Sequence, residues 1–240
     1  MSLVTNGKPV TIHQLRSRWK PHKQRLLAAR PDHPLPIRIH RACSWLSVVE
    51  NMGDKPDYDS ALIHQWIAFN ALYGQWDDQR REPKPDRECW RRFLDRILSL
   101  DTDGHVGEVL TGQRRLVMDL LDDEYLSSFF WQEPSPRRAG QSRKAKYDAQ
   151  TWYIERNWTM VLDRLLERVY LLRCQLVHGA ATHGSKLNRR ALHRCSGLLS
   201  ALLPAVLLVL IDRGPDEDWG TMCYPPIEAQ EPGLTRNRPR

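Results

Sequence analysis

From Trp158 to Leu176 the apolar residues Trp158, Leu162, Leu165, Val169, Leu172 and Leu176 follow one another at alternating steps of four and three. On a helix of about 3.6 residues per turn this spacing stacks all six on one face, whereas a strand would divide them between two faces. A second run, Leu62, Trp66, Phe69, Tyr73 and Trp76, repeats the same steps. No strand-like alternation of useful length and no internal repeat accompanies them. The chain is therefore expected to be all-α, an antiparallel helical bundle.

Around these two runs the punctuation predicts three regions. Residues 1–36 are basic and interrupted by Pro9, Pro21, Pro31, Pro34 and Pro36, and read as an arm with at most one short helix. Residues 37–213 form the helical domain. Its first helix spans Ile37 to Met52 and stops at Gly53; Asp57 caps the second; further helices cover Asp86 to Leu100 and Val106 to Leu121. Glu133 to Asp148, with Pro, Gly, Ser and five basic residues, reads as a mobile loop before a long helix from Trp152 to Val177. Residues 214–240 carry five prolines and read as an irregular tail.

The apolar run ending at Ile211 raises the question of a membrane span. Counted from Gly197 it covers fifteen residues, about 22 Å of helix against roughly 30 Å of hydrocarbon. Ser200 and Pro204 also interrupt it, so a buried core helix kinked at Pro204 is the expectation, with no membrane partner. The opening MSLVTNGKPVTIHQ lacks an apolar stretch of the secretory kind. Five cysteines, odd in number and without a CxxC, point to reduced thiols and a cytoplasmic setting. A formal net charge of +7 favours an anionic partner, nucleic acid above all.

Chemistry concentrates at RCQLVHG, Arg173 to Gly179, where the long helix delivers an arginine and, five residues on, a histidine beside an expected glycine stop. RNA cleavage by its own 2′-hydroxyl needs a base and a fixed positive charge where the phosphorane becomes anionic. His178 suits the first task and the Arg173 fork the second. Five residues of helix turn about 140°, which would set the two side chains on different faces, and a helix ending at Gly179 is expected to free His178 from that constraint. The bland alternative makes Arg173 an ion-pair partner and His178 a C-terminal cap. Arg16 and His22 match a looser spacing, but in a polar segment broken by Pro21.

The string HQWIAFNALYGQW, His64 to Trp76, together with RCQLVHG after a long helix, resembles the HEPN superfamily and within it the Apea-like HEPN branch, over roughly residues 40–212. That resemblance implies an all-α bundle that dimerises, with Arg173 and His178 of two protomers lining one cleft. It further implies a metal-independent endoribonuclease that leaves a 2′,3′-cyclic phosphate and a 5′-hydroxyl, often a toxin or anti-phage effector, and hence an antitoxin or regulatory protein as a further partner. Many active relatives carry a polar residue straight after the arginine; here Cys174, a weak donor, stands in its place. A non-catalytic RNA- or protein-binding module of the same fold therefore stays open.

Other residues are candidates for support. Asn70 lies one helical step from Trp66 and Tyr73 and either orients the Arg/His pair or makes a structural hydrogen bond to a neighbouring helix. Lys186, Arg189, Arg190 and Arg194 could hold flanking phosphates or form a solvated face, as could Arg137, Arg138, Arg143, Lys144 and Lys146. Cys174, His178, His183, His193 and Cys195 leave open a structural zinc site, although their spacing matches no common finger. No carboxylates are grouped as a metal centre would require, so neither metal nor cofactor is expected.

Overall fold

A computed structural model describes residues 4–5, 8–54, 56–186 and 188–225, and the fold is all-α. Two ribbons of two-residue strands are the exceptions: β1 (Val4–Thr5) with β2 (Lys8–Pro9), and β3 (Trp76–Asp77) with β4 (Glu82–Pro83). The helices are α1 (Ile12–Ala29), α2 (Leu35–Glu50), α3 (Tyr58–Tyr73), α4 (Asp86–Leu100), α5 (His105–Gly112), α6 (Arg114–Asp122), α7 (Ser128–Gln132), α8 (Pro136–Ser142), α9 (Lys144–Ile154), α10 (Trp158–Val177) and α11 (Arg189–Arg213).

The centre of the bundle is α11, which packs against α1, α3, α4, α5 and α6. It starts well before the run visible in the sequence and continues through Pro204, so by length and composition alone it could cross a membrane. Within the protein, 72% of its apolar window is buried. Gln65 of α3 donates from Nε2 to Ser196 O at 3.1 Å and Ser200 Oγ at 2.7 Å, fixing α11 against α3 one turn before Pro204.

The N-terminal region differs from expectation. Instead of an arm with at most one short helix, residues 12–29 form α1, which buries Ile12, Leu15, Trp19 and Leu26. These continue a three–four rhythm whose missing step is His22, its ring stacked on Trp19. A proper capping box starts the helix: Thr11 Oγ1 accepts from Gln14 N–H, and Gln14 Oε1 accepts from Thr11 N–H. Arg18 then clamps Asp212 through Nε and Nη2, at 2.8 and 2.7 Å, tying α1 to the end of α11.

Other boundaries move. The helix expected over Ile37 to Met52 is α2, which starts at Leu35, with Pro36 in its first turn, and ends at Glu50 with Asn51 as its cap. The single helix expected over residues 106–121 is broken at Gln113 (φ −98°, ψ 16°), after the flexible Gly112. The expected loop 133–148 holds α8 and the start of α9: Ser135 caps α8, accepting from Arg138 N–H, and Pro136 takes the first position, where its missing donor is harmless. The stretch from Trp152 to Val177 is two helices, because Arg156 adopts a positive φ of 53° and Asn157 caps α10 through Met160 N–H. Asp57 caps α3, and α4 has the expected bounds.

Past Gly214 the described residues have no helix but are pinned. Trp219 is buried and its indole N–H donates to Gly214 O, while Met222 bridges Gln75. Arg38, only 1% exposed, donates to Leu72 O, Gly74 O, Trp219 O and Gly220 O, at 2.7–3.2 Å. Burial lowers its pKa to about 10. The rest of the expected tail, 226–240, lies outside the described residues.

Candidate active site

The last turn of α10 presents the Arg173/His178 element. The helix ends in a Schellman arrangement: Gly179 takes φ +69°, its N–H bonds Leu176 O at 3.1 Å, and Ala180 N–H bonds Gln175 O at 2.8 Å. The glycine stop is thus where the sequence places it. It does not free His178, however. His178 N–H still bonds Cys174 O at 2.9 Å, and its φ of −89° is close to helical. The turn of about 140° between Arg173 and His178 persists, so within one protomer they leave α10 on different faces.

Both side chains are uncommitted. Arg173 has no carboxylate partner among the described residues; its Nη1 lies 3.9 Å from Cys174 Sγ. The other α10 arginines are engaged: Arg164 pairs with Glu167, and Arg168 donates to Leu121 O and Asp123 O at the end of α6. His178 is exposed, and its imidazole makes no hydrogen bond or ion pair among the described residues. The ion-pair role for Arg173 has no contact to carry it among the described residues, whereas His178 is the C-cap residue of α10, as the bland alternative has it.

Tyr170 joins the two strings that marked the site in the sequence. It stands one turn before Cys174, and its ring lies 5.7 Å from Trp66 and 5.4 Å from Trp90 between centroids. Burial, then the neighbouring Cys174 thiol, raises the pKa of the phenol. Trp66 belongs to the aromatic face of α3, in contact with Phe69 and Tyr73. Cys174 is half-buried beside Tyr170 and directly follows Arg173, whose Nη1 is its neighbour at 3.9 Å.

Asn70 reaches neither Arg173 nor a helix backbone with its amide. Its Nδ2 donates to Asp86 Oδ1 and Tyr73 Oη, both at 3.1 Å, and Tyr73 O–H donates to the same Asp86 oxygen at 3.0 Å. Burial, reinforced by Asp86, raises the pKa of Tyr73. The triangle locks the end of α3 to the start of α4. Gly74 follows because a Cβ there would come 2.8 Å from Asn70 O. Asp86 and Tyr170 were not singled out in the sequence; their spacing to Asn70 and Cys174 becomes meaningful only once α3, α4 and α10 are packed together.

The four downstream cations divide into two pairs. Arg189 is tied to Asp59 at 2.8 Å and Ser185 O at 3.0 Å, and Arg194 to Asp119 at 2.9 Å. Lys186 and Arg190 are exposed and without an ion-pair partner among the described residues, and both line a cavity of about 670 Å³. Of the second basic group, Arg143 pairs with Glu124 and Lys146 with Asp122, while Arg138 pairs with Glu133 and covers the Phe129 ring at 4.2 Å.

The five zinc candidates do not converge among the described residues. Cys195 is buried in the core, His193 packs edge-on against Tyr58, and His183 bonds Asp57 at 3.0 Å. His183 instead shares a small cluster with Asp57 and Asp59. There Asp59 Oδ2 accepts from Gly184 N–H and from Arg189, so the cluster fastens the segment after the motif onto the start of α3. Burial opposes ionisation of Asp57, but His183, Ser60 and the Asp59 N–H outweigh it and hold the carboxyl near 2. Asp57 in turn raises the pKa of His183.

Comparison with models of known protein families, with curated proteins and with solved structures gives no match in any of the three.

Proposed function

We propose that this chain is a HEPN-type endoribonuclease, acting without metal through Arg173 and His178 in a homodimer. The observation that carries the reading is a pair of groups at one helix end, a guanidinium without a carboxylate and an imidazole without a partner among the described residues. A basic chain with such groups is equipped to hold a phosphate and move a proton. His178 takes the 2′-hydroxyl proton as that oxygen attacks phosphorus. Arg173 offers two N–H donors to the non-bridging oxygens as their charge grows. The 5′-oxygen departs with a proton, leaving a 2′,3′-cyclic phosphate and a 5′-hydroxyl.

The divergence of the two side chains favours a composite site. A two-fold axis beside the ends of two α10 helices would supply two histidines, one as base and one as the acid that protonates the leaving oxygen. A toxin or anti-phage role, with an antitoxin or regulatory partner in a cytoplasmic setting, belongs to the same proposal.

A second reading, a non-catalytic RNA- or protein-binding module, draws on Cys174, a weak donor directly after Arg173. Total RNA incubated with wild type and with His178→Ala separates the two. Cleavage by the wild type should fall by about 10²- to 10⁴-fold in the variant. Arg173→Lys should also fail, because an ammonium lacks the planar fork. Equal cleavage by His178→Ala, or none by the wild type, would reject the catalytic assignment.

A further inference from the structure

The cavity beside α10 has a composition that the Arg/His pair does not explain. Leu171 and Gln175 line it on the face of α10 that His178 continues three residues later. Opposite stand Tyr125 and Trp131, large aromatics that remain 51% and 50% exposed. Lys186 and Arg190, the two downstream cations not spent on ion pairs, complete the wall from the start of α11.

The aromatic side of this cavity is held in place. Trp131 Nε1 donates to Tyr125 O at 2.9 Å, Gln175 Nε2 donates to the same oxygen at 3.1 Å, and Asn188 Nδ2 donates to Gln175 Oε1 at 3.0 Å. Phe130 packs edge-on against both rings, with centroids 5.3 Å from each. The side chain of Asp123, also at the cavity, accepts from Tyr125 N–H at 3.1 Å; burial raises its pKa, and that bond with nearby Arg168 and Arg194 offsets only part of the rise. Leaving two aromatic rings half in water is unfavourable unless something covers them.

We propose that this cavity is a base-stacking subsite for single-stranded RNA, with Trp131 and Tyr125 as platforms and Lys186 and Arg190 as phosphate contacts. Stacking on an indole accepts any base, so the subsite discriminates little among sequences. About 670 Å³ is room for a nucleotide rather than a duplex. The position of the cavity next to the His178 face lets the subsite feed a strand toward that histidine. This last step rests on the ribonuclease reading; the subsite itself does not.

The test uses the full chain and a fluorescent 2′-O-methyl oligonucleotide, which cannot attack its own phosphate, followed by anisotropy across a salt series. Wild type should bind the single strand more tightly than the corresponding duplex. Trp131→Ala and, separately, Tyr125→Ala should each weaken binding by roughly 10-fold, and Trp131→Phe should restore most of it. Lys186→Ala with Arg190→Ala should reduce the slope of log affinity against log salt by roughly 1.4, about 0.7 for each phosphate contact. Circular dichroism and urea unfolding check that each variant folds. Absence of binding by wild type, or wild-type affinity in the folded aromatic and basic variants, overturns the subsite. Trp131-dependent binding without cleavage of an unmodified strand supports it and counts against the ribonuclease reading alone.

Discussion

Arg38 shows how much one side chain can organise. Its guanidinium serves carbonyls from the end of α3 and from residues 219–220, segments also joined by the Gln75–Met222 bridge. Removing it leaves several buried acceptors without a donor, each worth about 1–3 kcal/mol. Arg38→Ala should therefore lower unfolding stability by about 3 kcal/mol or more in urea titrations, and Arg38→Lys should recover only part, since one ammonium cannot span four carbonyls. A loss below about 1 kcal/mol would place the holding of that segment elsewhere. None of this was legible in the sequence, where Arg38 is one basic residue among thirty-six. Arg173 and His178 were legible because their setting is local: a stripe of leucines before them and a glycine after. Their uncommitted state was not, because it depends on which carboxylates the fold brings near.

Among the elements, those with full apolar rhythm were readable, and the misreadings have specific causes. In α1 the step at His22 hides the stripe, and Pro21 next to it looks like a break although it sits inside the helix. In α8 the Ser135–Pro136 start was present in the sequence but outweighed by the basic, glycine-containing composition after it. The segment between α10 and α11 is fastened to α3 by His183–Asp57 and Asp59–Arg189. The charge on His183 favours this fastening below its ordinary pKa near 6.5, and the contribution is lost as pH rises through its raised folded value. That of Asp57 is present above the usual carboxylate range and is lost as pH falls toward 2. In a titration followed by NMR, the His183 pKa should drop toward 6.5 in Asp57→Asn. An unchanged midpoint would mean the contact does not form in solution.

For the whole molecule the proposed dimer makes the sharpest claim. If two protomers share one cleft, mixing His178→Ala chains with wild type should depress RNA cleavage below the value for simple dilution, as mixed dimers form. An active species of about 28 kDa by light scattering would rule out the composite site. Excess EDTA should leave the rate unchanged; complete inhibition reversed by a divalent ion would move the chemistry to a metal.

The place of α11 in the chain has a kinetic consequence. It is the helix against which α1, α3, α4, α5 and α6 bury their apolar faces, and it follows all of them in sequence. During synthesis those faces must wait, exposed, until residues 189–213 have left the ribosome, a delay of many seconds at about 5–20 residues per second. Joining Arg18 to Asp212 closes a separation of 194 residues, a non-local step of the kind that slows folding. The nascent chain is thus most open to chaperone capture just before α11 emerges.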